Sequence, residues 1–242
     1  PTASSTTERS DMTEVATVQS ELPEPSPLGA VAGVFVRPRE TFEAMRPHPR
    51  YWLPLALVVA AQIAFSMLVL QSGAVANDAV AKAEAKGAPP EQIEHMRTFF
   101  ESPAAPVIVG VGGLVTMAFI ILLGAGIAFF MGNLMMGGAI TYRHYLSAQA
   151  HGAAIGLLDQ AIRTGIAWNK GTLDIRLGLG NLFGDDIGPL GRLLDAATDP
   201  FILWSTAIVA LGISVYARKK YSFGLMAVLP MFVIGLILSA MR

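Results

Sequence analysis

Five stretches of apolar residues, each bounded by polar, basic or proline-rich sequence, set the rhythm of the chain. A hydrocarbon core about 30 Å thick is crossed by about 20 apolar residues in a helix. Residues 51–70 meet that length without a charge, and Pro54 falls in the first turn, where a missing N–H is tolerated. Residues 102–142 are uncharged throughout; they predict one long tilted or kinked helix over 105–136, ending at Gly137-Gly138. A third span over 145–168 is weaker, because Asp159 and Arg163 lie inside it. The fourth covers 200–217, with Asp199 as N-cap and Pro200 at the first helical position. The fifth, 222–240, carries Pro230 near its middle and is set off by Arg218, Lys219 and Lys220. The predicted fold class is an all-α integral membrane protein with five transmembrane helices.

The intervening stretches complete the organisation. Residues 1–27 are rich in Ser, Thr and Glu with no apolar run, too little to offset the entropy of ordering, so a disordered N-terminal tail is expected there. The membrane domain then runs over 28–242. Its opening, 28–50, alternates Val31, Val34, Phe35, Phe42 and Met45 with Arg37, Arg39, Arg46 and Arg50. That pattern predicts an amphipathic segment in the membrane interface, arginines toward headgroups. Polar helix formers broken by Pro89-Pro90 fill 71–101, and a loop with amphipathic pieces fills 169–198.

Basic residues before the first span, Arg143 between the second and third, and Arg218 to Lys220 between the fourth and fifth fall on one side only if there are five spans. Such flanks mark the cytoplasmic side. A multi-pass inner-membrane protein is therefore expected, N-terminus cytoplasmic and C-terminus extracytoplasmic.

Composition agrees and narrows the function. Hydrophobic residues make up 53% and charged residues 14% of the 242 positions, against roughly 25% charged in soluble domains. Mean hydropathy is +0.52. A net charge of −1 gives no field for nucleic acid, and the absence of cysteine excludes disulfides and thiolate chemistry. No hydrolase elbow, zinc-binding His-Glu-x-x-His or phosphate loop occurs. The four histidines lack ligand spacing, so no metal and no cofactor are expected.

Helical spacing picks out candidate functional residues. In the third span Ala148, Gln149, Gly152, Gly156, Asp159, Gln160 and Arg163 gather on one arc, opposite Leu146, Ala154, Leu157, Leu158 and Ile162. One face thus reads as protein-facing, the other as lipid-facing. Gly152 and Gly156, with Gly124, Ala128 and Gly132 in the second span, have the four-residue spacing that lets helices approach closely. They form the candidate packing or partner face. Asp159 and Arg163, four apart, form a candidate intramembrane charge pair. It reads either as a staple of the bundle or as a proton- or substrate-sensing carboxylate beside a polar cavity.

The order of features resembles the Yip-domain family, the Ypt/Rab-interacting membrane proteins, in its prokaryotic form. The resemblance is carried by VFVRPRETFEAMRPHPRYWLPLALV over 34–58, by GGAITYRHYLSAQAHGAAIGLL over 137–158 and by TDPFILWSTAIVALGISV over 198–215. It implies a five-span protein with a cytoplasmic N-terminus and no enzymatic activity. The Asp-Leu-Tyr-Gly-Pro segment of the eukaryotic members, which act with Rab proteins, has no copy here. The expected function is that of a non-enzymatic accessory or assembly subunit, contacting the lipid bilayer and a membrane-protein partner or a second copy. The alternative is a small transporter or lipid-handling protein using Gln149, Asp159, Gln160 and Arg163.

Overall fold

A computed structural model describes residues 24–184 and 187–241. Among these every regular element is helical. Two short helices, α1 (Pro27–Val36) and α2 (Pro38–Met45), lead into α3 (Trp52–Gln71). A helical hairpin, α4 (Ala74–Ala85) and α5 (Pro90–Glu101), joins α3 to α6 (Ala105–Phe129). One π-helical stretch (Phe130–Met135) ends α6, and Gly137, at φ +64°, turns the chain toward α7 (Tyr142–Lys170). A 3₁₀ turn (Leu179–Phe183) precedes α8 (Pro189–Thr198), α9 (Pro200–Tyr216) and α10 (Tyr221–Ala240).

The helix boundaries follow local chemistry. Ser26 caps α1, its hydroxyl accepting from Gly29 N at 3.1 Å. The Asp199 carboxylate accepts from the N–H groups of Phe201 and Ile202 at 2.9 and 3.2 Å, and Pro200 sits where no donor is needed.

Helix α7 is the hub. Helices α3, α6 and α9 all pack on it, and α10 packs between α9 and α6. The division of α7 into a protein face and a lipid face therefore holds only toward its end. Leu146 and Ala154, expected to meet lipid, are buried, whereas Leu158 and Ile162 are exposed. Helices crowd the first half from three sides, so no side of it is left for lipid.

Three helices are long and apolar enough to cross a membrane: α3, α6 with its π-helical end, and α10. The pair α8 and α9, bent by 53°, makes a fourth if counted as one broken span. Five spans were expected. Helix α7 has length to spare, 29 residues or about 43 Å at 1.5 Å per residue, but its polar and charged side chains take it out of that class. Outward, α6 shows an apolar stripe of Val107, Val111, Val115, Phe119 and Leu122, all exposed.

The opening segment departs from its reading as a purely interfacial element. Phe42 and Met45 of α2 are buried, and α2 packs on α9, so its apolar face meets protein while Arg37 and Arg39 stay outside. Residues 24–27, expected to belong to the tail, are held. Glu24 bonds His48 at 2.6 Å and Arg50 at 2.7 Å, and the hydrogen bond to His48, with Arg50 adding to it, keeps its carboxyl below the usual range. The rest of the expected tail, residues 1–23, lies outside the described residues.

Candidate functional site: a charge triad beside a polar cavity

The C-terminal half of α7 carries the chemistry. Arg163 Nε donates to Asp159 Oδ1 at 2.7 Å, one turn away. Its Nη1 donates to the carbonyl of Ile175 at 2.7 Å. Its Nη2 donates to Asp199 Oδ2, across to the start of α9. The expected pair is thus part of a triad, Asp159–Arg163–Asp199. Asp199 is buried and serves twice, one oxygen capping α9 and the other holding Arg163. Two carboxylates share one guanidinium, and the positive pole at the start of α9 offsets part of the remaining negative charge.

Beside the triad lies a cavity of about 350 Å³ between α3 and α7. Asp159, Gln160 and Arg163 line it from α7, and Gln62 and Ser66 from α3. Gln160 Nε2 donates to Gln62 Oε1 at 3.1 Å, and Gln62 Nε2 to Ser66 Oγ at 3.0 Å. The bond between Gln160 and Gln62 ties α7 to α3. Phe65, Val69 and Val109 supply apolar wall.

The predicted residues are not all gathered here. Gln149 lies about three turns back along α7 and lines a different hollow, of about 360 Å³, against α6, α9 and α10. Gly124 is where Gln149 sits: a Cβ there would come within 2.8 Å of its Nε2. Gly132 admits the Tyr145 hydroxyl, 2.2 Å from where a Cβ would stand; that hydroxyl donates to Asn133 Oδ1 at 2.9 Å. Ala128 is buried. Gly152 lets α9 close in, with Val209 Cγ2 2.3 Å from a Cβ position, and Ser205 Oγ donates to the Gly152 carbonyl at 2.9 Å. Gly156 has no atom within 4 Å of that position and lines the cavity. Among the described residues that direction is open, in contrast to Gly152.

Several polar residues escaped the sequence reading. Gln62 and Ser66 are one turn apart within an otherwise apolar span, a signal strong enough to have found them. A second network ties the opening segment to the hub: Tyr216 OH and Ser147 Oγ are 2.9 Å apart, and Ser147 donates to the Arg50 carbonyl at 2.7 Å. Next to it His151 is buried, with Nδ1 donating to the Ser147 carbonyl at 2.8 Å and Nε2 without a partner among the described residues. Phe42 meets this ring edge-on at 5.8 Å. Among the described residues no three His, Asp or Glu side chains are grouped to hold a metal ion.

A family model, that of the Yip1 domain, matches residues 32–241. No curated protein and no solved structure matches the chain.

Proposed function

Since the chain belongs to the Yip1 domain family and is an integral membrane protein, we propose that it works without catalysis, as an accessory or assembly subunit joined to other membrane proteins by its helix faces. In this reading α7 and α9 count as spans, giving five. The protein lies in the inner membrane with its N-terminus cytoplasmic and its C-terminus outside. One contrast carries the proposal. Three side chains of α7 are spent on bonds within the chain, Arg163 donating to Asp159 and Gln160 to Gln62, while the apolar stripe of α6 is left exposed among the described residues. A hub helix whose central polar groups are committed to its own bundle leaves the apolar stripe of α6 as a surface for packing on neighbours. In lipid such packing rests on close contact rather than on hydrophobic drive. Asp159 and Arg163 act here as a staple.

The cavity supports a second reading, a small transporter or lipid-handling protein. Asp159, Gln160 and Arg163 face one polar space, though Gln149 stands apart from it. Purification from native membranes in mild detergent separates the two. An accessory subunit is expected to carry a partner, or a second copy, at fixed stoichiometry by light scattering and mass spectrometry. A monomer that alone moves protons or lipid across reconstituted vesicles would overturn the assembly reading.

A further inference from the structure

At the far end of α9 from the triad, a hollow of about 270 Å³ lies between α2 and the turn joining α9 to α10. Arg39, Arg46, Arg218 and Lys219 line it, against the single carboxylate of Glu43. Glu43 is already taken: Arg39 Nε donates to it at 3.0 Å. Among the described residues the side chains of Arg46, Arg218 and Lys219 make no hydrogen bond or ion pair. Among the described residues, three cations thus line one space whose single carboxylate is bonded to a fourth.

Two backbone features border the same hollow. Arg218 has φ +53°, the left-handed region in which glycine is the easy choice. Its N–H bonds the Val215 carbonyl at 3.1 Å, and the Lys219 N–H bonds Ser214 at 2.9 Å, closing α9. An arginine at this helix end gives up conformational ease and sets a guanidinium on the wall of the hollow. Helix α10 then begins at Tyr221 with no side-chain cap. The N–H of Phe223 goes to the Lys220 carbonyl and that of Gly224 to Ser214 Oγ, and among the described residues those of Tyr221 and Ser222 have no acceptor. Uncapped N–H groups at a positive helix pole bind phosphate oxygens well.

We propose that this hollow binds the phosphate of an anionic phospholipid headgroup. A lipid suits it better than a soluble anion because Leu211, Val215 and Tyr221 complete the wall. Leu225, exposed, lies one turn further along α10 on the face of Tyr221. An acyl chain therefore has an apolar track beside the site, while the phosphate meets the cations. The proposal is independent of the assembly role above.

The test titrates the full chain in mild detergent with dioleoylphosphatidylglycerol, dioleoylphosphatidylcholine or inorganic phosphate. Bound lipid is counted by native mass spectrometry and the melting temperature is followed in parallel. Phosphatidylglycerol is expected to bind preferentially, about fivefold more weakly for each cation removed in R46Q, R218G and K219Q. Phosphatidylcholine binding should not change. R218G also controls for folding, since glycine suits the backbone there, and its lipid-free melting temperature should not fall. Unchanged phosphatidylglycerol binding by the R218G/K219Q double variant, or equal binding of the two lipids, would overturn the site. Stabilisation by inorganic phosphate equal to that by phosphatidylglycerol would overturn the lipid assignment.

Discussion

Arg163 holds two carboxylates, and this decides what its removal does. Asp159 borders the cavity and is partly exposed, whereas Asp199 is buried. Asp159→Asn is expected to cost about 1 kcal/mol, the scale of one hydrogen bond. Arg163→Gln leaves Asp199 buried without its cation and should cost about 3 kcal/mol. Neutralising only Asp159 and Arg163 recovers little, because the uncompensated charge is on the third member. The triple change with Asp199→Asn, which keeps a capping side chain, should restore most of the loss. Chemical denaturation in detergent across this series is the measurement, and recovery in the double equal to that in the triple would remove Asp199 from the unit. The i,i+4 pair was legible in the sequence because it is local. Asp199 was legible only as a helix cap, since its second role rests on a contact across 36 positions that no spacing rule reaches.

At the scale of the element, α7 shows how one small-residue motif divides into two environments. Gly152→Ala drives a methyl into Val209 and should destabilise by about 1–3 kcal/mol, with partial rescue by Val209→Ala. Gly156→Ala meets nothing and removes a glycine from a helix, so it should be neutral or stabilising by up to about 1 kcal/mol. Thermal denaturation of the two variants reads the contrast; equal losses would mean that Gly156 is also packed. The sequence reading of 145–168 falls within the helix Tyr142–Lys170, because its apolar pattern is local. The same periodicity could not assign its faces. Burial of Leu146 and Ala154 depends on how many neighbours surround the helix, which is a property of the bundle. The segment ahead of α3 gave a similar result: its pattern predicted amphipathicity, but the partner of its apolar face is α9 rather than lipid.

For the whole molecule, the apolar pattern located the long helices among the described residues, while the count of spans depends on α9, bent from α8, and on α7, the helix least suited to lipid. The five-span reading predicts that reporters fused after Leu70 and at Arg242 lie outside and one after Ala217 lies in the cytoplasm; a reversal at any of the three defeats it. The position of α7 has a consequence for biosynthesis. Its polar arc is sheltered by α3 and α6, made before it, but also by α9, made only after the 171–199 connection. The bilayer resists a helix carrying Asp159 and Arg163 until its partners are present. A nascent chain stopped after Lys170 should therefore fail to hold α7 in the membrane, and a reporter at its end should read cytoplasmic. The same reporter inserted after Lys170 in the complete chain should read outside. Topology would then be settled late, with the last helices synthesised retaining the middle one.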